Sequence, residues 1–293
     1  MNRTKEKVWM MIAGTIILGM AVFNVTLALN PEVKTGFTPT EVFSDSQDMD
    51  VVQSSEPSGS DKTKEENKTL LELFKNFRVA DVRDAMDWIG YHNFGSIDPK
   101  VRPLFRTKVV GIARTVRYLP FEGPYPTERG DAYTKWQGWY YGNVCTYPWM
   151  DDIEDGDFIA IDVSGVNVGL LGSENTLRAL LKGARGFVIN GSGIRDTDEV
   201  IMQKIPVWSH FIAQSMVQCK IRFDAKDIPV AIGGVTIYPG DIIVADGDGV
   251  IVVPRKAAKD VIKYADQILN SDKDTRKSLY EKLNWELDET VTR

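Results

Sequence analysis

Residues 173–200 read SENTLRALLKGARGFVINGSGIRDTDEV, and the order of patterns within them decides the fold. "SENTLRALLKGA" (173–184) has helical spacing, with Ser173 placed as an N-cap and Gly183 as a stop. "GFVIN" follows as an apolar, strand-like run, and Asp196 opens a second helix that extends to about Lys204. Upstream, "GDFIAIDVSG" (156–165) reads as one strand and "VNVGLLG" as another. Strand, helix, strand, helix implies a βαβ unit with a parallel pair, and hence the α/β class.

Working outward, "KVVGIARTVRYL" (108–119) is a β-branched, alternating strand, and residues 230–254 read as three short strands turning at "PGD" and "DGDG". Apolar residues recur at helical spacing from Leu70 to Phe77 and from Val82 to Ile89, so two helices open a domain that starts at Thr69. The tail, 255–293, reads as two charged amphipathic helices. Residues 30–68 are rich in Ser, Asp, Glu, Lys and Pro without periodicity, which predicts a disordered linker.

At the N-terminus, "MNRTKEK" precedes 22 uncharged residues, Val8 to Leu29. Residues 1–29 are therefore expected to be a signal peptide or a membrane anchor. The small residues of "TLA", ending at Ala28, suit a cleavage site, and no Cys follows to carry a lipid. The expected location is exported, periplasmic or secreted, or membrane-anchored through residues 8–29. In such a compartment Cys145 and Cys219 are able to pair.

The 293 residues carry 35 basic against 41 acidic side chains, a net charge of −6 without a basic stripe, which argues against nucleic acid as a partner. Two Cys and two His exclude a Cys/His zinc cluster within one chain, so a metal would be held by oxygen. Neither His92 nor His210 lies in a nucleophile motif. Between Phe121 and Trp149 the chain crowds eight Tyr and Trp side chains. They form either a lid or wall over a pocket or a packed loop or subunit contact, and packing is the preferred reading. "DGDG" tempts a calcium reading through Asp246 and Asp248, but Asp-Gly is the chemistry of a tight hairpin turn.

Ligands of open α/β sheets bind at the C-terminal ends of strands, where "NGSGIRD" stands. Gly191 and Gly193 allow close backbone approach, and Arg195 can grip a carboxylate with two parallel hydrogen bonds. A purely structural account fits the same residues: Asp196 to Glu199 is a capping box, and Arg195 pairs with a surface carboxylate. The local pattern favours that account. Glu174, however, starts the preceding helix 21 positions before Arg195, and adjacent βα loops open on one edge, so Glu174, Arg195 and Asp196 can converge.

An acidic residue, twenty intervening residues and Arg-Asp resembles the signature of the RraA-like family, which includes 4-hydroxy-4-methyl-2-oxoglutarate aldolases. "VADVRDAMDWIG", "DPKVRPLFRTKVVGIARTVR" and "YPGDIIVADGDGVIVVP" resemble its opening helix, first strand region and closing hairpin, over about residues 75–270. The chain departs from the family in having Glu at 174, Asn175 and Thr176 after it, a longer "NGSGIRD", and the aromatic insert at about 121–143.

The resemblance implies an α-β-β-α sandwich of the swivelling-domain type that assembles as a homotrimer or hexamer. It implies a lyase that uses Mg²⁺ or Mn²⁺ to cleave a small 2-oxo acid, by retro-aldol reaction or by oxaloacetate decarboxylation, through a metal-stabilised pyruvate enolate. By position, Asp196 would hold the metal, Arg195 would bind the substrate's carboxylate and keto oxygen, and Glu174 would stand near water on the metal. The loop Gly172, Ser173, Glu174, Asn175, Thr176 would receive the carboxylate on its amides. Two other readings stand beside this one: a non-catalytic RraA-like binding module, as in protein inhibitors of ribonuclease E, and a carbohydrate-related enzyme stacking sugars on the insert.

Overall fold

The structure, a computed structural model, describes residues 61–292. The expected signal or anchor (1–29) and the expected linker up to residue 60 lie outside the described residues. Among the described residues no helix is long and apolar enough to cross a membrane.

The fold is mixed α/β, as expected. Helices α1 (Asp61–Phe74) and α2 (Val79–Trp88) lead into β1 (Arg102–Pro103) and β2 (Val109–Pro120). Then come α3 (Asp131–Asn143), a 3-10 turn (Pro148–Asp152), β3 (Asp157–Leu171), α4 (Ser173–Leu181), β4 (Gly186–Ile194), α5 (Thr197–Met202) and β5 (Val207–Ser209). The chain continues through β6 (Ile221–Lys226), β7 (Val230–Ile232), β8 (Val235–Ile237), β9 (Ile242–Asp246) and β10 (Gly249–Val253). It ends in α6 (Ala258–Leu283), after a 3-10 turn at Arg255–Ala257.

Seven strands follow the order β1-β5-β4-β3-β2-β9-β10, and β6 joins β2 to make an eight-stranded sheet. The central pairs β2–β3, β3–β4 and β4–β5 are parallel, so the C-terminal ends of β3 and β4 open on one edge. At one margin β1 is two residues long and contains Pro103. At the other, β10 is covered by the loop before β1: the Val252 amide donates to Gly95 and the Ile97 amide to the Val250 carbonyl.

Strand alternation divides the core. Ile112, Ile159, Ile189 and Val244 face the helices, in two clusters, while Ala113, Phe158, Val188 and Ile243 face a third cluster closed by the β7–β8 hairpin. Among the described residues no helix contributes to that third cluster. On the helical face the Arg114–Asp157 ion pair stands between the first two clusters. Burial raises the Asp157 carboxyl against the opposing pull of Arg114. Of the aromatic-rich stretch, Tyr140 and Trp149 are core, Trp136, Tyr141 and Tyr147 pack against it, and Tyr125 and Trp139 are exposed. Trp149, Tyr140 and Tyr118 of β2 are fully buried, each worth about 1.5–3 kcal/mol of apolar burial. Their polar ends are satisfied: Trp149 donates to Tyr118 Oη (2.9 Å), Tyr118 to the Thr146 carbonyl (2.8 Å) and Tyr140 to the Val217 carbonyl (2.8 Å).

Several boundaries differ from those the sequence suggested. Helix α1 begins at Asp61, not Thr69: "DKTKEENK" resembles a linker in composition, yet Lys and Glu are good helix formers and Leu70, Leu71 and Phe74 bury behind them. The two strands expected at 156–165 and beyond are one 15-residue strand, kinked where Ser164 and Gly165 take positive φ. Residues 230–254 hold four strands, not three, because Gly233 and Gly234, both at positive φ, make an extra turn. The two tail helices are a single α6 of 26 residues, since nothing in "NSDKD" stops a helix before Asn284 takes the left-handed C-cap. Strand β6 is an addition to the expected strands, although "IRFDAK" alternates apolar and charged residues at period 2. Gly172, not Ser173, is the N-cap of α4. "DGDG" is a hairpin turn: Asp246 pairs with Gly249 across β9–β10 and accepts the Asp248 amide at 2.8 Å. Both cysteines are free thiols.

Candidate active site

Strand β3 ends at Leu171 and β4 at Ile194, paired with each other, and the Arg195 amide donates to the Leu171 carbonyl at 3.0 Å. This ties the two strand-to-helix loops together. Between them lies a cleft of about 310 Å³ whose lining includes Gly172, Glu174, Asn175, Arg195 and Asp196. Ser173 does not line it, and Thr176 is turned away. Thr176 is fully buried, its hydroxyl donates to the Gly172 and Ser173 carbonyls, and its amide is taken by the Gly172 carbonyl (3.1 Å). Thr176 therefore has nothing left for a ligand, a correction to its assignment as substrate-binding. The amides of Ser173, Glu174 and Asn175, the first three of α4, have no intrahelical carbonyl, and a glycine N-cap offers them no side chain.

Asp196 occupies the N-cap position of α5, but its side chain makes no cap hydrogen bond. Its backbone is left-handed (φ 56°, ψ 41°), whereas a capping residue is normally extended, so the carboxylate swings off the first turn of its own helix. That conformation costs about 1–2 kcal/mol in an L-residue. The capping box expected of Asp196 and Glu199 is thus absent at Asp196. One carboxylate oxygen points to Gly172, where a Cβ would collide with it, and the other stands 3.8 Å from Arg195 Nε. At that distance the two are charge-coupled without a hydrogen bond. Among the described residues neither side chain makes any hydrogen bond, and both are about one-third exposed (31% and 36%). Two charged groups thus face the cleft with unused bonding capacity.

Glycines make the room. A Cβ at Gly169 would lie 2.6 Å from Arg195 Cδ, so the aliphatic stem of Arg195 lies along β3 only because residue 169 has no side chain. Gly191 and Gly193 have a different task from the ligand approach expected of them, and neither lines the cleft. Gly191 holds φ +86° and accepts the His210 amide, while Gly193 packs on Ile189. Glu174 reaches Arg178 at 2.6 Å through Oε1, an exposed i,i+4 pair of small energetic weight.

Tyr141, Tyr147 and Met216 complete the walls. The sequence marked the two tyrosines only as part of the aromatic run, and nothing marked Met216. Burial pushes both phenols up; for Tyr141 the hydrogen bond from Gln218 (3.1 Å) and the Arg195 charge pull the other way. Tyr147 donates to the Leu170 carbonyl at 3.2 Å. Among the described residues no three His, Cys, Asp or Glu groups form a cage for a metal. The donors present, Asp196 and Glu174, fit a hard cation such as Mg²⁺ or Mn²⁺ that keeps most of its waters, and do not fit a closed zinc site.

With fold and cleft described, the class is an α/β protein with a carboxylate and an arginine at the ends of adjacent parallel strands. Residues 79–252 match the RraA-like family model, described as Aldolase/RraA, and the chain belongs to that family. It is 30% identical over 195 residues to protein DlpA of Legionella pneumophila, covering 66% of this chain but only 29% of DlpA. It is 30% identical over 196 residues to a Halalkalibacterium halodurans protein provisionally named a 4-hydroxy-4-methyl-2-oxoglutarate aldolase, covering 66% of this chain and 80% of that one. Among solved structures, Streptomyces coelicolor RraAS2, described as an unusual member of the RNase ES inhibitor RraA family, superposes with TM-score 0.57. The identity is 25%, over 71% of this chain and 96% of that one.

Proposed function

We propose that the protein is a divalent-metal-dependent lyase that cleaves a C–C bond in a small 2-oxo acid. One observation carries the reading: the Asp196 carboxylate is released from capping its helix and set beside Arg195, in the cleft that also holds Glu174 and the α4 N-terminus. A structural cap would use that carboxylate, and this one is left free. The membership of aldolases in the family, and the name of the H. halodurans relative, support the same reading.

In this reading Asp196, with Glu174 nearby, would hold Mg²⁺ or Mn²⁺, which would supply Lewis-acid stabilisation of the negative charge left by bond cleavage. The chain's own groups do the rest. The Arg195 fork binds the carboxylate and 2-oxo side of the substrate, and its charge favours the transition state, in which that oxygen gains negative charge. The amides of Glu174 and Asn175 receive carboxylate oxygens at the positive end of α4. In a 4-hydroxy-2-oxo acid the C3–C4 bond breaks, its electron pair stays on C3, and the 4-hydroxyl proton goes to Glu174 Oε2, the oxygen not engaged by Arg178. C4 departs as a carbonyl compound, and C3 takes up a proton to give pyruvate.

Purified full-length chain with Mg²⁺ or Mn²⁺ is expected to release pyruvate from oxaloacetate or from a 4-hydroxy-2-oxo acid, followed by coupled NADH oxidation. No pyruvate above a metal-only blank, across such a panel, refutes the lyase reading.

A further inference from the structure

We propose that this cleft prefers a 2-oxo acid carrying one carboxylate and an apolar or aromatic distal group, and that Tyr141 sets the preference. The inference rests on the lyase reading and names its substrate class.

Among the described residues Arg195 is the one basic side chain that lines the cleft, facing two carboxylates, Asp196 and Glu174. Arg195 and the α4 amides suffice for one carboxylate. With a divalent cation in place, Arg195 and the cation are already balanced by Asp196, Glu174 and the substrate's own 1-carboxylate, so a second carboxylate would leave the cleft with an uncompensated negative charge, which is costly in a partly desolvated site.

Beside the charged groups, the lining includes Tyr141, Tyr147, Leu170 and Met216. The Tyr147 hydroxyl is committed to the Leu170 carbonyl, so that residue offers its ring. Met216 is flexible and polarisable, and thioethers pack favourably against ring edges. At about 310 Å³ the space lies at the small end of the range of ligand pockets, roughly 300–1,000 Å³.

Tyr141 is held by its helix and by its neighbours. It comes from α3, between β2 and β3, in the aromatic insert that departs from the family pattern. Its neighbour Tyr140 is fully buried, bonded to the Val217 carbonyl and packed against Trp136 and Phe121 (ring centroids 5.2 and 5.4 Å). Consecutive helical residues point about 100° apart, so Tyr140 fixed in the core fixes the direction of Tyr141 toward the cleft. Gln218 then holds the phenol oxygen. The ring is a preorganised surface for another ring, an arrangement that lowers the ordering cost of binding.

The test compares two substrates that differ only at the distal end, 4-hydroxy-2-oxo-4-phenylbutanoate and 4-hydroxy-2-oxoglutarate, using full-length protein and Mn²⁺ and reading kcat/KM from pyruvate release. The phenyl compound is expected to lead by tenfold or more, mostly through KM. Tyr141→Ala should bring that ratio toward one, whereas Tyr141→Leu, which keeps apolar volume and guards against a folding defect, should retain most of it. A wild-type ratio at or below one, or a ratio unmoved by Tyr141→Ala, overturns the inference while leaving the lyase reading standing. If neither compound yields pyruvate and oxaloacetate yields none either, the lyase reading fails, and with or without oxaloacetate turnover, calorimetric binding of phenylpyruvate against 2-oxoglutarate then decides the specificity. Tighter phenylpyruvate binding, weakened by Tyr141→Ala, supports it, and equal or reversed affinity overturns it.

Discussion

Replacing Gly172 with alanine adds one methyl group where the Asp196 carboxylate now lies. The backbone there is extended (φ −136°, ψ −173°), so alanine fits without strain. The smaller entropy of the unfolded chain gains about 0.4–1 kcal/mol, and the poorer N-cap loses about as much. The melting temperature should therefore move by no more than about 4 °C. The site is another matter. The new Cβ would overlap one Asp196 oxygen and stand 3.3 Å from its Cγ, so the carboxylate must retreat by on the order of 1 Å to reach ordinary contact. A displacement of that size at a reacting centre costs about 100-fold in rate, roughly 2.7 kcal/mol.

Pyruvate release should thus fall about 100-fold in kcat/KM, and Mn²⁺ binding followed by electron paramagnetic resonance should weaken in parallel. Both effects act through one side chain, so Gly172→Ala added to Asp196→Ala should cost nothing further. A folded Gly172→Ala with activity and Mn²⁺ affinity within threefold of wild type would refute the reasoning, as would full additivity in the double variant.

Arg195→Lys keeps the charge but removes the two-pronged donor, and kcat/KM should drop by about 10²-fold with unchanged stability; equal activity would show that only charge matters there. Burial pushes the Asp241 carboxyl up to about 6, against amides of Tyr238 and Arg255 that donate to it. A folded value above the unfolded one means the folded state holds the proton more tightly. Ionising Asp241 therefore costs stability as pH rises through about 4 to 6, on the order of 3 kcal/mol. Urea unfolding of wild type against Asp241→Asn should show that difference shrinking on acidification, and a pH-independent difference would contradict it. The Cys145 thiol is buried and pushed up to about 12, whereas Cys219 is half-buried. Ellman's reagent should accordingly titrate one thiol per native chain and two in urea, and zero in urea without reductant would mean a disulfide.

What the sequence revealed depended on the range of the interaction. The parallel pair, α4 and the meeting of Glu174 with Arg195 followed from period and order, because a βα loop goes where its strand ends. Composition misled where residues of good helix propensity resemble a linker, as in the first half of α1, and where a chain has no breaker to stop it, as in α6. Thr176 was misassigned because only the structure shows its hydroxyl folded back on the Gly172 carbonyl. The capping box at Asp196 failed on one backbone angle, which no local pattern encodes. Tyr141 and Met216 reach the cleft from segments distant in the chain, 54 and 21 positions from Arg195, so no local motif joins them to it.

The two margins of the eight-stranded sheet bear on how copies of this chain can meet. One margin is two residues long and carries a proline, and the other is already bonded by the loop at Gly95 to Ile97. Neither of these margins offers a long row of open amides and carbonyls for another molecule's strand, and the branch strand β6 is short, carries Arg222, Asp224 and Lys226, and already gives its Phe223 amide to the Val144 carbonyl. Contacts between copies of this chain would then fall to helices, loops and side-chain surfaces, where the rotation each contact imposes decides whether an assembly closes.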